Sequence, residues 1–347
     1  MGIGNHEGVA QFPAPVTNST SGLERAWYAV ALSEEVTGAP LQAWLLGRPW
    51  VLLRFGGEGP PVAFVDRCPH RLAPLSLGSN CGDSLRCRYH GWRFGPDGRC
   101  LEVPSNGPDV PVPPRAAARL PHAVTERYGL VWIAPDAPVC ELHEFPEWDD
   151  GRFDRAWTAP RRTCAGAGQL TDNFLDAAHF PYVHASTFGV AESAYVAPHE
   201  VVRDGWEVRT VYDTWYANRD DPLVATGEHP LVQPQELHKL GRPFSSVLLR
   251  LRFPVTGGTI AILFCCTPET ATTSRVYKMM ARDDTGGDAV RLDEFVRDEE
   301  RILSEDLDVL ERYPHAELHL DLGVELHVRA DRLSVAYRRL LADFVAG

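Results

Sequence analysis

The stretch Cys68–Trp92, CPHRLAPLSLGSNCGDSLRCRYHGW, decides how this 347-residue chain is read. One residue separates Cys68 from His70, sixteen residues follow, and two residues then separate Cys87 from His90. Each pair reads as a loop that presents a thiol and an imidazole to one centre. Two thiolates with two imidazoles suit a tetrahedral zinc ion or an iron–sulfur cluster whose two irons take unlike ligands.

Around this stretch, short apolar runs alternate with turns from Ala26 onward: QAWLL, WVLLRF, then Gly56 and Gly57, then VAFVD leading into Cys68. Strands of this length at this spacing predict a small antiparallel β domain. The pattern continues through FGPDGRC and RYGLVWIAP. A proline-rich exit from Pro135 to Pro146 then predicts a boundary near residue 150. The first twenty or so residues mix Gly, Pro, Asn, Ser and Thr without periodicity, which predicts an arm over 1–24, either mobile or hugging the surface. The β domain is then expected over 25–148 and a second domain over 149–347.

The second domain opens on a helical candidate around Gln169 to Ala178 and passes through the β-like runs SSVLLRLRFPV and TIAILFCCT. It finishes with a long amphipathic helix around Asp288 to Arg312. Helices flanking an antiparallel sheet make the expected class α+β. Within TDNFLDAAHFPYVH, Asn173, Asp176 and His179 are three apart and share a face if the helix continues. Pro181 disturbs that helix, so His184 is free to converge with His179 on one ion. A histidine pair alone is weak evidence of a metal site.

The two segments together resemble the Rieske non-haem iron oxygenases, most closely those grouped with vanillate O-demethylase and dicamba monooxygenase. The resemblance runs from Ala26 to the terminal RADRLSVAYRRLL. It implies an all-β Rieske [2Fe-2S] domain followed by a catalytic domain of helices on an antiparallel sheet. Cys68 and Cys87 would hold one iron of the cluster, and His70 and His90 the other. Respiratory-chain Rieske proteins carry two further cysteines and a hydroxyl where this chain has Ala73, Tyr89 and Trp92. Fewer donors to the cluster sulfurs imply a potential toward the lower end of the Rieske range.

The second segment matches the D-N-x-x-D-x-x-H-x4-H pattern of that family, which implies a mononuclear Fe(II) held by His179, His184 and a downstream carboxylate. On the helix near the C-terminus, Leu292, Val296, Leu303, Leu307 and Leu310 define an apolar stripe. Asp306 lies at its edge, Glu299 within it, and Glu305 and Asp308 are expected to point away. A carboxylate facing a core needs a partner or a metal, so Asp306 is the expected ligand and Glu299 the runner-up. The family's E-D pair, matched by Glu305-Asp306, favours the same choice. By the same resemblance Asp176 bridges His90 of one subunit to His179 of the next in a homotrimer, and Asn173 stands near the iron, with an N-cap or turn role as its equal competitor.

Composition limits what else the chain can do. A formal charge of -13 and a pI near 5.5 argue against nucleic acid and anionic lipid as partners. No apolar stretch approaches a membrane span and the N-terminus lacks signal-peptide features, so a cytoplasmic location is expected. Eight cysteines in this length do not form a disulfide scaffold. Cys81 and Cys100 are read as small buried or loop residues, and Cys140, Cys164, Cys265 and Cys266 as core packing. The histidines at 122, 143, 199, 229, 238, 315, 319 and 327 are scattered and read as surface or core. Gly166-x-Gly168 is too short for a dinucleotide fingerprint, so electrons are expected from NAD(P)H through a separate ferredoxin or flavin reductase.

The expected activity is monooxygenation, by hydroxylation or O- or N-demethylation, of an aromatic or natural-product small molecule with O2. Arene cis-dihydroxylation is the alternative, and an electron carrier or metal-stabilised binding protein is the alternative from another class. Walls of the substrate pocket are expected from the segment 185–275, including Phe188, Tyr195, Trp215, Leu249 and Phe264.

Overall fold

The computed structural model describes residues 14–347. The N-terminal part of this region is all β. Its strands are β1 (Tyr28–Leu32), β2 (Leu41–Leu45), β3 (Arg48–Leu53), β4 (Val62–Val65), β5 (Ser79–Asn80), β6 (Leu85–Arg86), β7 (Arg93–Phe94), β8 (Cys100–Glu102), β9 (Ala123–Arg127) and β10 (Leu130–Ala134). They form three antiparallel sheets, ordered β1-β10-β9, β2-β3-β4 and β5-β6-β7-β8. Two-residue strands bury little by themselves. The β5–β8 meander is instead held by Leu85 and Phe94, which pack with Cys68 and Cys87 against Val51 and Phe64 of the neighbouring sheet.

After α1 (Pro146–Asp149) the chain builds a fourth, eight-stranded sheet around two inserted helices, α2 (Ala167–Leu175) and α3 (Phe180–Val183). Its strands are β11 (Asp154–Trp157), β12 (Arg161–Thr163), β13 (Val201–Asp204), β14 (Glu207–Ala217), β15 (Val232–Arg242), β16 (Ser246–Arg252), β17 (Thr259–Thr270) and β18 (Thr273–Arg282), with the short α4 (Pro222–Thr226) between β14 and β15. The order is β11-β18-β17-β16-β15-β14-β13, and β12 also pairs with β18. The helices α5 (Ala289–Leu310) and α6 (Arg332–Ala346) complete the chain.

Burial along β14 and β15 alternates with the strand period of two. One face therefore carries Tyr212, Thr214 and Tyr216 beside Gln233, Gln235, Leu237 and Lys239. Register extends that face across the sheet: Leu237 opposes Leu251, Leu251 opposes Ile260, and Ile260 opposes Arg282. The unbroken apolar run TIAILFCCT is β17, buried on both faces. Ile260 and Ile262 belong to the cluster under the helices. Ala261, Leu263 and Cys265 pack with Ala29, Leu32 and Trp132 of the N-terminal part. A strand covered on both sides has no reason to alternate.

One large cluster joins Leu45, Trp50 and Val131 to Leu170, Leu303, Leu307 and Tyr337, so the two parts share a core. Residues 1–13 of the expected arm lie outside the described residues. Residues 14–24 lie against the body of the protein: Val16 exchanges backbone hydrogen bonds with Leu318, and the buried Asn18 amide donates to Thr270, Thr273 and Ser274. Cys164 is exposed and not core, because it follows the buried Thr163 at the end of β12 and falls on the outward parity. Gly166 and Gly168 serve packing: a Cβ at Gly166 would lie 2.0 Å from the Ala316 carbonyl oxygen.

Candidate metal centres

The first centre is made by two loops of matching construction. In the loop after β4, the Cys68 N–H donates to the Ala73 carbonyl and the Leu72 N–H to the Cys68 carbonyl. In the loop after β6, the Cys87 N–H donates to the Trp92 carbonyl and the Gly91 N–H to the Cys87 carbonyl. Each loop turns at the fourth residue after its cysteine, where Leu72 has φ 62° and Gly91 φ 75°. The left-handed conformation is costless only for glycine. At Leu72 the surrounding loop imposes it: the buried Asp66 accepts from the Ser76 N–H, the Ser76 hydroxyl and the Gln42 amide, each at 2.6 Å.

This construction buries Cys68 and Cys87 and leaves the imidazoles nearer the surface. The His70 and His90 rings lie 4.5 Å apart. The indole of Trp92 stacks on His70 at 4.6 Å with the planes 6° from parallel. Burial and the neighbouring Cys87 push the Cys68 thiol up to about 11, against backbone donors that lower it. A buried thiol at that value stays protonated at neutral pH unless a metal takes the proton's place. The buried His70 Nδ1 also has no hydrogen-bond partner. Two buried cysteines with an orphaned imidazole nitrogen fit a bound cluster.

The second centre gathers His179, His184 and Asp306 between α2, α3 and α5. His179 Nε2 lies 3.2 Å from His184 Nε2, and the two lie 3.5 and 3.3 Å from Asp306 Oδ1. His179 Nδ1 donates to Asp176 Oδ2 at 2.7 Å, and His184 Nδ1 donates to Glu305 Oε2 at 2.9 Å. With each Nδ1 carrying its proton, both Nε2 atoms present lone pairs. Three lone-pair atoms therefore face one point, and the buried Asp306 Oδ1 has no hydrogen-bond partner. Cis ligands about 2.1 Å from an ion are about 3.0 Å apart, so the triangle fits a facial set of two histidines and one carboxylate.

The environment holds the carboxylates around this point ionised, as a cation needs. Burial pushes the Asp176 carboxyl up, but His179, Lys239 and the Ala178 N–H outweigh it and hold it at about 2. Burial also raises Asp306 and Glu305, and it is again outweighed. His184, His179 and Asn173 lower the former; Ser186, His184 and Thr187 lower the latter.

Three expectations are corrected here. The helix carrying Asn173 stops at Leu175 instead of reaching Ala178, and Asp176 is its extended C-cap, with ψ 157°. Asn173, Asp176 and His179 therefore share no helical face, and a turn brings His179 back to Asp176. The physical reason is Lys239. Its fully buried ammonium on β15 donates to the carbonyls of Phe174, Leu175 and Asp176 at 3.0, 3.1 and 2.7 Å, which takes the last turn's acceptors and ends the helix. Glu305 does not point away: besides His184 it accepts from the Ser186 and Thr187 hydroxyls. Glu299 lies apart from the triangle, paired with buried Lys278 at 2.6 Å.

The histidine pair opens on a cavity of about 180 Å³ between the inner sheet face and α5. Phe188, Leu249 and Phe264 line it as expected. Trp215 and Tyr195 do not, being 45% and 67% exposed on the outside. Sequence reasoning missed Lys239, Gln235 and Tyr216. Their signal was parity: they fall on the buried positions of alternating strands, where a polar side chain needs a reason.

Comparison with known proteins bears on the family and the fold. Residues 26–121 match the Rieske [2Fe-2S] domain, and residues 164–347 match the vanillate O-demethylase oxygenase C-terminal domain. The chain is 35% identical over 216 residues to the oxygenase component of chloroacetanilide N-alkylformylase from Rhizorhabdus wittichii, covering 58% of this chain and 61% of that protein. It thus spans about three fifths of that relative's length. Identity to methylxanthine N1-demethylase NdmA of Pseudomonas putida is 29% over 331 residues, 92% of this chain and 89% of that one. The structure of Pseudomonas putida CBB5 NdmA with caffeine superimposes with a TM-score of 0.79 at 25% identity, over 93% of this chain and 91% of that one. An N-terminal all-β Rieske domain joined to this catalytic domain, matched over more than half the chain, places the protein in the family of Rieske non-haem iron oxygenase components.

Proposed function

We propose that this protein is the terminal oxygenase of a multi-component system, which uses O2 and electrons from a separate ferredoxin or flavin reductase to monooxygenate an organic small molecule, by hydroxylation or by O- or N-demethylation. The observation that carries the reading is the triangle of His179 Nε2, His184 Nε2 and Asp306 Oδ1, open on an apolar cavity in a chain that also has a Rieske domain. When bound, a [2Fe-2S] cluster at Cys68, His70, Cys87 and His90 supplies single electrons, and Fe(II) at the triangle supplies the site where O2 is reduced.

The chain's own residues prepare both sites. Asp176 and Glu305 fix the tautomers of His179 and His184 and raise their basicity as ligands. Phe188, stacked on His184 at 4.9 Å, shields its ring from water. Asp176 also belongs to a path between subunits of a homotrimer, linking His90 of one copy to His179 of the next. Among the described residues no helix is long and apolar enough to cross a membrane.

The test is anaerobic purification followed by metal analysis and oxygen uptake with a competent reductase. A red-brown protein with the low average g-value of a histidine-ligated cluster, iron beyond the cluster's own pair, and substrate-dependent O2 consumption are expected. Zinc without sulfide would overturn the reading.

A further inference from the structure

Two polar side chains face the cavity with nothing to bind. Gln235 is 4% exposed and lines it, and no described side chain bonds its amide. Tyr216 is 7% exposed and lines it too, with its buried hydroxyl unpartnered. Asn218 stands nearby and donates to Gln233 at 3.0 Å. Tyr216 opposes Gln233 in the β14–β15 register, so Gln235 is its diagonal neighbour on the same face, about 7–8 Å away at the backbone. That separation lets both reach one small group. The walls around them are apolar, including Leu251, Phe253 and Ile260. An amide and a phenol left unpaired in such a wall are costly until a ligand completes them.

The cations of the same cavity are all committed. Lys239 holds three carbonyls, Lys278 holds Glu299, and Arg282 holds Asp284 at 2.7 Å and Asp220 at 3.2 Å. Arg219 and Arg301, exposed on the rim, donate to the backbone carbonyls of Thr187 and Ser186. An anionic substituent held by Gln235 and Tyr216 would therefore lose its hydration and meet only cations already engaged by protein acceptors, so any charge attraction would have to come from the bound iron. The volume, about 180 Å³, exceeds the ~150 Å³ of an engineered cavity that takes benzene. It suits one ring with small substituents.

From this we infer that the substrate is an uncharged molecule of about one ring carrying an amide-like group that both donates and accepts, gripped by Gln235 and Tyr216. The inference rests on reading the cavity as the oxygenation site. Titration calorimetry of the holoprotein with a panel of one-ring anilides and their matched benzoates tests it without turnover. Anilides are expected to outbind their acids, and Gln235→Leu and Tyr216→Phe each to weaken anilide binding about tenfold or more while leaving benzoate binding unchanged. Retention of the cluster's visible spectrum checks folding, and Gln235→Met, which keeps the length and removes the amide, serves if Gln235→Leu does not fold. The inference is overturned if no anilide outbinds its acid, or if the variants leave anilide binding intact. Oxygen uptake separates the two readings: turnover of benzoates alone sinks this inference and keeps the oxygenase, whereas the expected binding pattern without O2 consumption by any compound keeps the neutral site and sinks the oxygenase.

Discussion

Glu305 and Asp306 are adjacent on α5, yet one faces the Nδ1 of His184 and the other its Nε2. Adjacent helical residues diverge by about 100°, so the ring fits between them edge-on. Removing the directly converging oxygen should cost more than removing the orienting one. Asp306→Ala is expected to lose the mononuclear iron and all turnover, whereas Glu305→Gln should weaken iron binding about 10–100-fold, read as iron content after gel filtration with the Rieske spectrum unchanged. Glu299 has another task. Its carboxylate pairs with buried Lys278, so Glu299→Ala should keep the iron but lose about 3–5 kcal/mol of stability in urea unfolding, through the charge left unpaired. Loss of iron from Glu299→Ala with retention in Asp306→Ala would reverse the assignment.

At the scale of elements, the decisive event is the end of α2. A lysine from β15 caps it, and the freed chain turns so that Asp176 receives both the backbone N–H and the ring Nδ1 of His179. Lys239→Met preserves the aliphatic stem and removes the donor, leaving three carbonyls without their shared cation. Hydrogen exchange is expected to quicken over residues 174–184 while the loops at 68–73 and 87–92 keep their protection. Unchanged exchange over 174–184 would show that the turn holds itself. On α5, Leu303, Leu307 and Leu310 of the expected stripe are buried beside Glu299 and Asp306, whereas Leu292 and Val296 are only half-buried and Phe295 takes the inward place in the first turns. The N-cap Asp288 accepts from the Val290 and Arg291 N–H groups, which fixes where the stripe begins.

For the whole molecule, the shared core lets the Rieske and catalytic parts behave as one body, and His143 reports on its stability. The ring is buried in the connection between them, 3.1 Å from the Ser246 hydroxyl. Burial, with Arg242 and Arg250 against the Ser246 contact, lowers its pKa from 6.5 to about 3. In that window the unfolded chain binds a proton that the fold refuses, so stability is full above about pH 6.5 and falls by about 1.4 kcal/mol per pH unit below it. His143→Gln should flatten that part of the profile in denaturant titrations between pH 4 and 7. Turnover adds a test of assembly. Asp176→Ala, assayed with excess Fe(II) to offset the loss of the brace on His179, is expected to keep cluster reduction yet lose nearly all product formation, because on the proposed path the carboxylate orients two imidazoles and connects them. Cluster reoxidation by O2 and substrate at the wild-type rate would remove Asp176 from the electron path.

The loops at Cys68–His70 and Cys87–His90, the stripe on α5 and the alternation of β14 and β15 were legible in the sequence, because each is set by spacing or period within one segment. That His179 and His184 can meet was legible from their spacing around Pro181, whereas their role as iron ligands was implied only by the resemblance. The inward turn of Glu305, the early end of α2 and the open amides and hydroxyls of the cavity were not. Each depends on a group from a distant segment: Ser186 and Thr187 for Glu305, Lys239 for α2, and the β14–β15 register for Tyr216 beside Gln235. Local periodicity fixes which face a residue occupies, but only the packed fold supplies the partner that makes a buried polar side chain a cap, a brace or a binding group.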